Sequence, residues 1–127
     1  MRPLPFALAA TLAVLAVSAP GSARNRGVPE ATPAGDPVSC IPLTQIRSSH
    51  VRSDSVIDFE MSGGRYYRNT LPGSCPSLGF EERFGYETSL SQLCSTDIIR
   101  VLPQGGIGGA SCGLGQFQPV KLVKAGK

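Results

Sequence analysis

Four cysteines, Cys40, Cys75, Cys94 and Cys112, constrain this chain most, because they follow an apolar N-terminal leader and form an even, pairable set. Such a set in a short exported chain predicts two disulfides rather than metal or thiol redox chemistry. The leader has a positive start at Met1-Arg2, a charge-free run from Leu4 to Val17, and small residues at Gly21-Ser22-Ala23. That run is too short to span a bilayer as a helix, so residues 1–23 read as a signal peptide cut after Ala23. No later apolar run reaches spanning length. The sequence therefore predicts a periplasmic or secreted protein with no stable membrane insertion after cleavage.

Residues 24–39 are Pro, Gly and Ala with scattered charge and no periodicity, and read as a disordered linker. Residues 40–123 read as a single domain and 124–127 as a tail. A domain this small has a marginal core, and covalent staples help to decide whether it folds. Loss of Arg2 with the leader leaves a small positive balance of interspersed charge, without the basic stripe of a nucleic-acid binder.

Ile57, Phe59 and Met61 alternate with Asp58, Glu60 and Ser62, the period of a half-buried strand. Gly63-Gly64 turns the chain into a hairpin partner over 65–71. Residues 41–51 read as a bent first strand, 78–87 as a strand with a bulge near Glu82, and 93–102 and 113–123 as two more. These predict an all-β, disulfide-stapled fold, a small antiparallel barrel or sandwich, OB-like or SH3-like. If successive strands alternate in direction, Cys40 meets Cys94 at one end and Cys75 meets Cys112 at the other. Three pairings are open, and this is the one the strand order favours.

No complete catalytic set is present, so the chain is read as non-enzymatic, and no motif asks for a cofactor. His50 is the sole histidine, and a hydrolase scheme through His50 and a nearby Ser or Asp lacks a nucleophile elbow. Asp54, Asp58 and Glu60 lack the glycine-containing loop of a calcium site and read as a solvated strand face. Gly105-Gly106-Ile107-Gly108-Gly109 lacks the Lys-Ser/Thr of a phosphate cradle and reads as a flexible hairpin loop. Tyr66, Arg68 and Arg83 form the expected binding patch, because Tyr and Arg dominate recognition surfaces.

The series Cys40-Ile41, Ile57-Asp58-Phe59, Tyr67-Arg68-Asn69-Thr70-Leu71, Cys75-Pro76, Leu93-Cys94 and Cys112-Gly113-Leu114-Gly115 resembles a family of small exported proteobacterial proteins classed as a domain of unknown function. The likeness runs from about Cys40 to Val120 and implies bacterial origin and periplasmic placement. The expected function is a binding or envelope-associated module whose partner is an envelope protein or cell-wall component. The alternative is an inhibitor of a cell-wall hydrolase such as lysozyme.

Overall fold

The computed structural model describes Pro3, residues 28–88 and residues 90–123. The rest of the predicted leader, the start of the predicted linker and the tail lie outside the described residues. The alternation around Phe59 places β4 (Val56–Met61) at the centre of the molecule. It pairs antiparallel with β3 (Ile46–Ser53) and with β5 (Tyr66–Thr70). Gly63 and Gly64, with φ of 87° and 82°, make the β4–β5 turn in the left-handed region that side chains avoid. β10 (Phe117–Leu122) joins β5, and β1 (Ala31–Pro33) joins β10, giving a five-stranded sheet in the order β1-β10-β5-β4-β3.

The β1 strand lies within the segment expected to be a disordered linker, which the structure corrects. Backbone bonds supply the reason. Ala34 N–H donates to the Pro119 carbonyl, and Val38 and Phe117 exchange two hydrogen bonds. Prolines at 29, 33 and 37 are tolerated because an edge strand needs donors on one side only.

Two smaller antiparallel sheets cover the inner face. β2 (Cys40–Pro42) pairs with β7 (Gln92–Cys94), and β8 (Ile98–Val101) lies between β6 (Phe84–Tyr86) and β9 (Ser111–Gly113). Ile57, Phe59 and Met61 meet Ile41, Leu93, Ile99, Val101 and Leu78 in one buried cluster. Phe59 sets its ring edgewise to Phe117 at 5.6 Å and to Phe84 at 6.2 Å, which pins the small sheet over the large one. The all-β, antiparallel, disulfide-stapled class is as expected, but the described strands form no closed barrel. β1 and β3 end the large sheet while β6 and β9 end the small one, whereas closure requires every strand to be paired on both sides.

Four expected strands are broken. The 41–51 run divides at a 3-10 turn, Leu43–Gln45, into β2 and β3, which join different sheets; the other three are each broken by a local interaction. Residues 78–81 form a single helical turn between Ser77 (φ 68°) and Glu82 (φ 54°), so the predicted bulge near Glu82 is a left-handed helix end. Asp54 Oδ1 accepts the Gly79 N–H at 2.7 Å and anchors that turn to the β3–β4 hairpin. The 93–102 run splits because Asp97 Oδ2 accepts the Cys94 N–H at 2.7 Å, closing a tight turn. The 113–123 run breaks after β9 ends at Gly113, where Gly115 meets Asn69, whose amide donates to the Gly115 carbonyl at 2.7 Å and accepts its N–H at 2.8 Å. A Cβ at Gly115 would lie 2.2 Å from the Thr70 carbonyl oxygen, so the approach requires glycine.

Both disulfides join the predicted partners, Cys40 with Cys94 and Cys75 with Cys112. Cys40 faces Cys94 directly across the β2–β7 ladder. The ladder bonds Ser95 N–H to Ser39 O and Leu43 N–H to Ser91 O, which puts Cys40, Cys94 and Pro42 at positions that exchange no ladder bonds. Side chains are closest there, and the missing N–H of Pro42 costs nothing.

Candidate functional site

The outer face of the five-stranded sheet carries His50, Asp58, Arg68 and Gln118 in one cross-strand row. Asp58 is the surprise. Read from alternation as a solvated residue, it is fully buried, as is the inner-face Asn69. Arg68 Nε donates to Asp58 Oδ1 at 2.8 Å and Nη2 to Oδ2 at 2.9 Å, a bidentate fork. Arg52, released from the ladder by a register shift between Val51 and Ser53, donates from Nε to Oδ2 at 2.9 Å. Arg68 Nη2 also donates to the Pro29 carbonyl at 2.8 Å, so the backbone before β1 folds over this face. A carboxylate without water keeps its charge only with such partners. Arg68 is thus committed inside the protein.

Beside it, Ser48, His50 and Glu60 form a triangle. His50 Nε2 lies 3.1 Å from both Ser48 Oγ and Glu60 Oε1, and Ser48 Oγ donates to Glu60 Oε1 at 3.2 Å. A catalytic relay places the acid on one ring nitrogen and the nucleophile on the other. Here both meet the same nitrogen, and the serine proton is directed to the carboxylate. The hydrogen bond from His50 holds the Glu60 carboxyl below its ordinary 4.5, against the opposing effect of burial and with help from Ser48. Burial, then the Glu60 charge, pushes the Tyr66 hydroxyl above its ordinary 10.0.

The predicted patch of Tyr66, Arg68 and Arg83 is therefore divided. Tyr66 and Arg68 lie on β5, where Arg68 is bound to Asp58 and Tyr66 sits across the ladder from Glu60. Arg83 precedes β6 in the small sheet, where its carbonyl accepts the Leu102 N–H at 3.0 Å. Sequence parity cannot reveal this division, because it gives the face of a strand but not which sheet the strand joins.

The small sheet presents a different surface. β8 is its central strand, with Ile99 and Val101 buried and Ile98, Arg100 and Leu102 exposed. The outward positions on the neighbouring strands are Gly85 opposite Arg100 on β6, and Ser111 and Gly113 opposite Arg100 and Ile98 on β9. Small residues on both sides leave the β8 side chains standing as a ridge over backbone. Gly85, Ile98, Arg100, Leu102 and Ser111 line a concavity of about 500 Å3, bordered by Tyr86 and Glu87. It adjoins a second of about 270 Å3, where Arg83 and Arg100 meet Gly106, Gly108 and Gly109 of the β8–β9 loop. Gly109 is obligatory, since a Cβ there would lie 1.8 Å from the Val101 carbonyl oxygen. At the loop tip Ile107 is 86% exposed. The sequence singled out the glycines and Arg83 separately, and Arg100 not at all. Its signal was the run Ile98 to Leu102, in which an arginine interrupts aliphatics at the outward parity.

Among the described residues no group of three or more His, Cys, Asp or Glu could hold a metal ion, and no helix is long and apolar enough to cross a membrane. Comparisons with protein-family models, with curated proteins and with solved structures return no match.

Proposed function

We propose that the chain is an exported, non-enzymatic binding module that engages a protein partner through the outer face of the β6-β8-β9 sheet and the adjoining glycine-rich loop. One observation carries this: Ile98 and Leu102 are exposed on either side of an arginine that faces solvent, and Tyr86 borders the same concavity. Exposed aliphatics grouped with Arg and Tyr are the composition of recognition surfaces rather than of ordinary solvated sheet. The two disulfides support an oxidising compartment, and the leader-like sequence of residues 1–23 supports export.

Photo-crosslinking in the cell envelope tests the face. A photoreactive residue replacing Ile98 should yield a discrete adduct, while the same residue replacing Ser62, on the exposed β4–β5 turn, should not. Equal labelling from both positions, or none from Ile98, would remove the proposal. A mature N-terminus at Arg24, found by mass spectrometry, tests export. Inhibition of a cell-wall hydrolase is the second reading, favoured by the protruding, apolar-tipped loop around Ile107. It predicts slowed digestion of cell walls by lysozyme at large molar excess of this protein, and no slowing after Ile107→Asp.

A further inference from the structure

Resting on the binding face proposed above, we infer that its ligand is an acidic, aliphatic protein segment, lying extended across β8 with one carboxylate held between Arg83 and Arg100. Arg83 stands opposite Leu102, and Gly85 opposite Arg100, so the two arginines are diagonal neighbours on one face, about 7 to 8 Å apart by strand geometry. Gly85 places no side chain between them. Both arginines are exposed, and the three ion pairs among the described residues involve neither.

The large sheet shows the same chemistry completed. There two arginines close on one carboxylate, that of Asp58, with donor distances of 2.8 to 2.9 Å. On the small sheet the arginine pair faces outward, and no carboxylate of the described residues forms an ion pair with it. The glycines at 106, 108 and 109 bring backbone to the same concavity, so an anion arriving there meets main chain as well as guanidinium. Along β8 the contacts around this charged centre are aliphatic, with one aromatic, Tyr86, at the border. Ile98 and Leu102 flank Arg100 along the ridge, and this favours a polypeptide over a glycan or nucleic acid, which would need aromatic platforms or a row of cations. Glu87 borders the Ile98 end of the larger concavity. It orients the ligand, repelling acid at that end and leaving the Arg83 end for the carboxylate.

The test is selection of a random peptide library displayed on phage against the full, oxidised protein. Chosen peptides are then titrated into labelled protein and followed by backbone amide shifts. The expected outcome is enrichment of Asp or Glu next to aliphatic residues, with shifts at Gly85, Ile98, Arg100 and Ser111. Arg83→Gln and Arg100→Gln should each weaken binding about tenfold, the effect of losing a charge-assisted hydrogen bond. Neutral or basic peptides shifting those same amides would overturn the acidic ligand while leaving the binding face standing. Shifts confined to other strands, or no selected peptide, would overturn both. Heparin or cell-wall fragments binding this face more tightly than any selected peptide would replace the polypeptide with a glycan.

Discussion

Asp58→Ala removes the one carboxylate that two guanidinium groups, those of Arg52 and Arg68, share on the large sheet. The side chains of Arg52 and Arg68 are only 20% and 16% exposed, so water can replace the lost partner only in part, and Arg68 is further held by the Pro29 carbonyl. Breaking a buried pair from one side costs about 3 to 5 kcal/mol, because the stranded charge has too little water to replace its partner. A small domain holds about 5 to 15 kcal/mol in total, so the variant should lose a large share of its stability. Its melting temperature should fall on the order of 15 to 30 °C. The chain has no tryptophan, so urea and thermal unfolding of the oxidised protein should be followed by far-ultraviolet circular dichroism. Two controls sharpen the reading. The loss should persist in about 1 M salt, which screens exposed pairs strongly and buried ones weakly. Replacing the whole set, with Asp58→Leu, Arg52→Leu and Arg68→Met, should recover most of the stability. A loss under about 1 kcal/mol, or one abolished by salt, would show that the cluster behaves as an ordinary surface bridge and refute the argument.

Asn69→Ala leaves the half-buried N–H and carbonyl of Gly115 without their Asn69 partners, and should cost about 1 to 3 kcal/mol by urea titration. Gly115→Ala, whose Cβ meets the Thr70 carbonyl, should be at least as harmful, and a milder effect would mean the loop relaxes freely. Removing Cys75–Cys112 by paired serine substitution should cost roughly 4 kcal/mol from the loop entropy of a sequence separation of 37, measured by the same titration. Because Glu60 has a depressed pKa in the folded state, its contribution is complete above its unfolded value and disappears as pH falls through the folded one. Urea midpoints of Glu60→Gln should therefore decline less than those of the parent as acid is added below about 4.5.

Strands whose side chains divide cleanly between core and solvent were legible in advance. Ile57, Phe59 and Met61 declare β4, the paired glycines declare its turn, and strand direction gave the correct cysteine pairing. The expectation failed wherever one side chain satisfied distant backbone. Asp54, Asp97 and Asn69 each end or redirect a segment through hydrogen bonds whose partners alternation cannot supply. The site was less readable still. Asp58 has the parity of a solvated residue, yet two arginines and a returning stretch of main chain enclose it. Arg68 looked available for the same reason. Arg100 carries the same pattern as many exposed strand residues, and only the glycines that the topology sets beside it mark it as the centre of a concavity.

In chain order the sulfur bridges interlock, the first running from Cys40 to Cys94 and the second from Cys75 to Cys112. Cleavage of the backbone at any one point between Cys40 and Cys112 therefore leaves both fragments covalently attached. Even two cuts in different intervals between successive cysteines release nothing. A protein so tied should survive occasional nicking by proteases with its fragments and surface held together, gaining only one water per cut, and reducing agent would be needed to separate the pieces.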